Sequence, residues 1–142
     1  MRTGAVVILR RDDGAVLMQY RDNKEGIAWP DFWALPSGAS EVGEDPKKTA
    51  VRELGEESRY VIDESALTLV CQSPQVLRGE EILRSVYVGE YDGIQPIECL
   101  EGKTMEFVHP REFPSMKVFE DHVGFIQQAE TILSGGNKEI RG

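Results

Sequence analysis

One polar stretch, Gly38 to Tyr60 (GASEVGEDPKKTAVRELGEESRY), constrains this chain more than any other. It reads as a loop that feeds a helix. Gly38, Gly43, Glu44 and Asp45 belong to the loop. Asp45 suits the N-cap, and Pro46 suits the first helical position, where its missing N–H costs nothing. The helix is expected from Pro46 to about Ser58, with Gly55 costing roughly 1 kcal/mol relative to alanine. At 3.6 residues per turn, Glu53, Glu56 and Glu57 fall within one arc of roughly 100°. Ala50, Val51 and Leu54 form the adjoining apolar arc. Like charges at this spacing repel by about 0.2–0.5 kcal/mol per pair. They also lie toward the helix end that disfavours anions. A hard divalent ion such as Mg²⁺ or Mn²⁺, which takes oxygen ligands, would offset both effects. A solvated acidic face is the other reading, and the usual one for an arbitrary acidic run.

The spacing shifts that balance. Gly38, Glu44, Arg52, Glu53, Leu54, Glu56 and Glu57 match the signature of the Nudix hydrolases, Gly-x5-Glu-x7-Arg-Glu-aliphatic-x-Glu-Glu. Six identities at about 7% each give roughly 10⁻⁷ per starting position by chance. Trp33-Ala34-Leu35-Pro36-Ser37-Gly38 also resembles the family's approach to this box, with Ser37 in place of a usual glycine. Arg59 replaces the box's last glycine and Tyr60 its final aliphatic residue. The family glycine ends the helix. Arg59 either takes the same left-handed conformation at roughly 1–2 kcal/mol, or the helix ends differently.

The resemblance implies an α/β fold, a Nudix-type α/β/α sandwich with a mixed β-sheet between helices. It implies a hydrolase that cuts the diphosphate linkage of a nucleoside diphosphate joined to another moiety, ADP-ribose-like, or of a nucleoside triphosphate, with Mg²⁺ or Mn²⁺. By the matching positions Glu53, Glu56 and Glu57 are expected metal ligands. Arg52 is expected to orient a box carboxylate, above all Glu53, and Glu44 to pair with the helix start or reach the metal through water. The family often adds a carboxylate from a later loop. Glu101, followed by Gly102, is the candidate for ligand or base, with Glu98 and Glu106 competing. Glu53 and Glu101 both stay open as general base. A Nudix-fold module that binds or senses a nucleotide without turnover is the alternative reading.

Elsewhere the chain supplies the rest of a sheet. Gly4–Arg10 and Ala15–Arg21 read as strands around a turn at Asp12-Asp13-Gly14. Arg21, at a strand end, is either a substrate-binding residue, as the resemblance suggests, or a surface charge. Residues 22–31 read as an irregular loop. Trp29, Phe32 and Trp33 near its end are core anchors or, for at least one of them, a base-stacking platform; Trp33 is the substrate-binding candidate. Ala66–Gln72 and Arg84–Tyr91 read as strands joined by a longer connection over Ser73–Glu81. Arg78 and Arg84 could each face phosphate or solvent. Pro74 lies about where ADP-ribose-hydrolysing relatives carry a proline. Met105–His109 reads as a short strand, Val118–Leu133 as a terminal helix, and residues 134–142 as a flexible tail.

With 142 residues the chain suits a single domain, and 29% charged residues is ordinary for one. A net charge of −9 argues against a nucleic acid polymer as partner but not against a small phosphorylated nucleotide whose charge a metal can balance. No apolar run reaches the ~20 residues of a membrane span, and the N-terminus leads straight into a strand. Cys71 and Cys99 read as reduced cysteines of a cytoplasmic protein, and His109 and His122 as ordinary histidines with a small chance of touching substrate. A homodimer stays open.

Overall fold

The computed structural model describes residues 2–27 and 29–141, with side chains through residue 135. Seven strands form one mixed sheet among the described residues: β1 (Arg2–Arg10), β2 (Val16–Tyr20), β3 (Trp33–Ala34), β4 (Ser37–Ala39), β5 (Thr68–Leu77), β6 (Glu80–Glu90) and β7 (Thr104–Val108). Helix α1 (Pro46–Ser58) follows β4, and α2 (Glu120–Arg141) closes the chain. The strand order is β3-β2-β1-β6-β5, with β4 beside β1 and β7 beside β2. β1 and β6 are parallel; the other pairings are antiparallel.

The run of apolar residues in β1 follows from its place in the middle. Val6 and Ile8 face one core with Val16, Met18 and Val86, covered by Phe125, Ile126 and Ala129 of α2. Ala5, Val7 and Leu9 face the other with Leu17 and Tyr87, covered by Ala50 and Leu54 of α1. A strand buried on both faces cannot alternate with polar residues. The expected α/β/α sandwich is therefore present.

The site depends on how β1 and β2 part. They pair at Arg10↔Val16, next to the turn. Beyond it, residues 33–39 enter between them. Trp33 and Ala34 pair with Tyr20 and Gln19 of β2, while Ser37–Ala39 pair with Val6–Gly4 of β1. Pro36 sits between the two ladders, and its carbonyl accepts from the Val7 N–H at 2.9 Å.

Two expectations change. Ser73–Glu81 is not a long connection: β5 and β6 run through it and join at a two-residue turn, Leu77↔Glu80. Arg78 and Gly79 there have φ 53° and 78°, the paired left-handed conformation of a type I′ hairpin. The terminal helix begins at Glu120 rather than Val118 and continues to Arg141. Residues 134–141, expected as part of a flexible tail, continue the backbone of α2, while residue 142 and the side chains beyond residue 135 lie outside the described residues.

Candidate active site

Helix α1 has the predicted bounds and the predicted start. The Asp45 carboxylate accepts from the Lys47 N–H at 2.8 Å, and Pro46 is the first helical residue. At the other end Arg59 takes φ 65° and ψ 3°, and its N–H donates to the Gly55 carbonyl at 2.8 Å. The first of the two alternatives for Arg59 therefore holds. Its side chain pairs with Glu98 at 3.1 Å, which draws that carboxylate to the helix end.

Arg52 organises the acidic face. Its Nε and Nη2 each donate to a Glu44 oxygen at 2.9 Å, a bidentate pair. Nη1 donates to Glu53 at 2.9 Å and to Glu56 at 3.1 Å, and Nη2 also reaches the Ala39 carbonyl at 3.1 Å. All three nitrogens of the guanidinium fork are engaged. Glu44 is held further by the Glu41 N–H at 3.0 Å and by Thr49 Oγ1 at 2.8 Å, so it ties the loop to the helix. Arg52 holds the Glu44 carboxyl down at about 2.

Glu53 and Glu57 lie deeper. Glu57 is 2% exposed, and Gln19 Nε2 donates to its Oε1 at 3.3 Å. Its Oε2 is buried and meets no donor. The Glu53 and Glu57 carboxyls stand within hydrogen-bonding range of each other, which requires a proton or a cation between them. Burial, first, and then Glu53 and Glu101 push the Glu57 carboxyl up to about 10, while Arg21 opposes the rise. Burial also raises Glu53 against the pull of Arg52.

These features fit a bound cation: buried, mutually repelling oxygen donors, one of them without a partner. As the side chains stand, no three carboxyl, imidazole or thiol groups among the described residues surround one point; Glu56 is paired with Arg52 at 3.1 Å. Glu101 approaches from the loop before β7. Its carbonyl accepts from Gln19 Nε2 at 3.0 Å, and Gly102 behind it has φ 84° and no room for a Cβ, which would lie 2.8 Å from Tyr20 O. Glu106 is exposed on β7.

Gly38 forms the wall opposite Glu53. A Cβ there would lie 2.2 Å from Glu53 Cδ. The glycine at the head of the motif is thus needed for close approach rather than for its φ.

On the other side of Gly38 opens a cleft of about 190 Å³. Its lining includes Ser37, Gly38, Arg21, Trp29, Arg84, Phe119 and His122. His122 is 4% exposed, and its Nδ1 accepts from the Leu35 N–H at 2.9 Å, which leaves the proton of the neutral ring on Nε2. Burial, then the charges of Arg84 and Arg21, depress its pKa to about 3. Arg84 is 7% exposed, donates to Ser73 Oγ and Asp121 at 3.0 Å each, and keeps Nη1 without an acceptor. Trp29 takes φ 55°, a left-handed conformation that costs a bulky residue roughly 1–2 kcal/mol.

Arg21 thus lies by the cleft and close enough to act on Glu57. Trp33 is not part of the cleft lining, where Trp29 stands; it stacks on Tyr20 with centroids 5.0 Å apart. Arg78 stays on the hairpin turn and bonds the Gly26 carbonyl. Pro74 sits inside β5 at the sheet edge, where a missing N–H is tolerated, so a substrate is not needed to explain it. Sequence reasoning missed Gln19, named Trp29 only as one of three aromatic candidates for stacking, and left Arg84 and His122 undecided. Gln19 carried a signal, a polar residue within an apolar strand.

The NUDIX domain description matches residues 1–129. A dihydroneopterin triphosphate diphosphatase of Haemophilus influenzae is 45% identical over 64 residues, which span 45% of this chain and 37% of that protein. The MutT protein of Methanosarcina mazei Go1 superposes with a TM-score of 0.77 at 16% identity, over 94% of this chain and 95% of that one. The NUDIX domain of Shewanella oneidensis NrtR, complexed with ADP ribose, does so with 0.77 at 18% identity, over 93% and 88%. These two likenesses concern the fold. The sequence match across most of the chain, together with the Gly38–Glu57 motif seated on α1, places the chain in the Nudix family.

Proposed function

We propose that residues 1–142 act as a single catalytic domain, a metal-dependent pyrophosphohydrolase that cuts within the diphosphate of a small nucleotide-like substrate. The observation that carries this reading is the buried Glu57, whose Oε2 meets no donor while the Glu53 carboxyl faces it. Two carboxylates are kept there at a cost to stability, and a divalent cation is the partner that would remove that cost. Glu53, Glu57 and Glu101 would hold Mg²⁺ or Mn²⁺, with Glu56 joining once released from Arg52. A bound cation supplies positive charge to the phosphate oxygens and lowers the pKa of water. Arg52 fixes Glu53, Gln19 fixes Glu57, and Arg21 brings positive charge toward the phosphates. We keep Glu53 and Glu101 as the two candidates for taking a proton from water.

The relative's name supports a triphosphate on a heterocycle over ADP-ribose. Both cysteines are free, which agrees with a cytoplasmic setting. No helix among the described residues is long and apolar enough to cross a membrane. The test is a hydrolysis panel of nucleoside triphosphates, dihydroneopterin triphosphate, ADP-ribose, sugar nucleotides and dinucleoside polyphosphates, with Mg²⁺ or with EDTA. Turnover that EDTA abolishes is the expected result. A silent panel with binding retained would favour the nucleotide-binding module instead.

A further inference from the structure

Gln19 is a polar residue within β2, where Val16, Leu17 and Met18 are buried apolar residues, and it is itself 3% exposed. A buried amide is costly unless its hydrogen-bonding groups are met. The partners of this side chain belong to the acidic site. Nε2 donates to Glu57 Oε1 at 3.3 Å and to the Glu101 carbonyl at 3.0 Å, and Oε1 accepts from Arg21 Nη1 at 3.5 Å. Turned over, the amide would set its oxygen against two acceptors and its nitrogen against a guanidinium, so its orientation follows from its partners.

Glu101 lies in residues 98–103, which cross from the end of α1 to β2. The Glu98 and Leu100 N–H groups donate to the Ser58 and Glu57 carbonyls at 3.0 Å each, and the Lys103 N–H donates to the Tyr20 carbonyl at 2.8 Å. The last carbonyls of a helix have no partner within it. Residues 98–103 thus serve two of them while bringing Glu101 near enough for its charge to act on the Glu57 carboxyl. A closed circuit results. Leu100 holds the Glu57 main chain, Glu57 Oε1 meets Gln19, and Gln19 meets the carbonyl of Glu101, the residue after Leu100. Gly102 packs close against the same side chain, since a Cβ there would lie 2.8 Å from Gln19 Cγ. Movement of residues 98–103 away from α1 would break the Leu100 and Gln19 bonds together.

We propose that Gln19 is a positioning residue that couples residues 98–103 to the carboxyl pair on α1, so that Glu57 and Glu101 present their oxygens to one divalent cation as a unit. The amide suits this place because it donates without carrying charge. It joins two acceptors and leaves the negative charge that a cation needs, whereas a lysine or arginine would put its own charge there and a glutamate would add another anion. Its bond to Glu101 goes to the main chain, so the Glu101 carboxylate stays available. This deepens the proposed hydrolase and rests on that reading for the use of the cation, but cation binding does not depend on turnover.

Mn²⁺ titrated into the metal-free protein without nucleotide, with free Mn²⁺ read by electron paramagnetic resonance, tests it without catalysis. Gln19→Met keeps the reach of the side chain and removes its donors. It should raise the Mn²⁺ dissociation constant about 10–100-fold, the usual loss when a group that orients a metal ligand is removed, with the number of bound ions unchanged. Amide exchange at Glu98 and Leu100 in EDTA, followed by NMR, should quicken at least about tenfold in the same variant. Gly102→Ala disturbs residues 98–103 while leaving Gln19, Glu57 and Glu101 in the chain. It should weaken Mn²⁺ binding likewise, and the double variant should lose less than the product of the two losses. If Gln19→Met does not fold, as judged by circular dichroism, Gly102→Ala decides alone. Unchanged Mn²⁺ affinity in either variant, weaker affinity with unchanged amide exchange, or losses that multiply in full would overturn the proposal. Metal-dependent hydrolysis with Mn²⁺ affinity unchanged in both variants would sink the coupling and leave the hydrolase standing. Mn²⁺ binding that both variants weaken, in a protein that hydrolyses nothing, would do the reverse. A wild-type protein that binds no Mn²⁺ would overturn both.

Discussion

Glu57 is the residue on which stability and activity pull hardest against each other. Its folded pKa, about 10, lies far above the unfolded value near 4.5. Between these limits the folded chain holds a proton that the unfolded chain has released. Stability of the metal-free protein should therefore fall as pH rises through that window, by at most about 1.4 kcal/mol per unit. Glu57→Gln should flatten the slope and raise the melting temperature in EDTA, while turnover drops by orders of magnitude. Thermal melts from pH 5 to 9 read the first part, and an unchanged rate at saturating Mg²⁺ would remove Glu57 from the site. Gly38→Ala makes the complementary prediction. The new Cβ would meet the Glu53 carboxyl, the movable end of a side chain, rather than backbone. The loss should appear in activity, about a hundredfold or more for displacing a positioned group, with a melting temperature lowered only slightly.

At the scale of elements, helix α1 was legible because its limits are local chemistry. Asp45, Pro46 and the 3.6-residue spacing of Ala50 and Leu54 each sit within a turn of what they determine. The end at Arg59 was only half legible, since arginine does not announce a left-handed residue. Arg59→Gly should relieve about 1 kcal/mol of backbone strain against a smaller loss from the exposed pair with Glu98. A denaturant midpoint unchanged or higher is expected, and a clear fall would contradict the cap geometry. The β5–β6 hairpin was misread for the same reason: Pro74 and Arg78-Gly79 look like loop, yet an edge strand tolerates the first and a type I′ turn uses the second. The cleft could not be read at all, because its bonds join distant segments. The Leu35–His122 bond, for instance, ties the β3–β4 crossover to α2 across 87 positions. That bond has its own test. His122 stays neutral down to about pH 3 in the folded chain but charges near 6.5 when unfolded. The unfolded state then binds more protons, so stability should decline as pH falls below 6.5. His122→Asn, which keeps an acceptor for Leu35, should make that decline shallower in acid melts.

Across the whole molecule, the sheet opens where β1 and β2 part, and the inserted crossover carries Gly38 to the acidic face of α1. Glu101 reaches the same place from the loop before β7, held through Gln19 of β2. Carboxylates from two distant segments thus converge in a chain of net charge −9, a cost to folding that a proton on Glu57 meets in part and that, on the proposed reading, a bound cation would meet. A ligand that binds only the folded state stabilises it by about 2.7 kcal/mol at one hundred times its dissociation constant. For a chain of this size that is a rise of roughly 10 °C in melting temperature. Mg²⁺ or Mn²⁺ should therefore raise the melting temperature saturably. Screening of the net charge could mimic part of this effect, but it would not saturate at one site and would follow ionic strength. Potassium chloride at matched ionic strength should thus give a smaller, unsaturated shift. The double variant Glu53→Gln/Glu57→Gln should start from a higher melting temperature in EDTA, having lost the repulsion, and gain little from either divalent ion. If that variant gained as much as the wild type, the stabilising ion would be bound elsewhere, and the buried carboxyl pair would need another explanation.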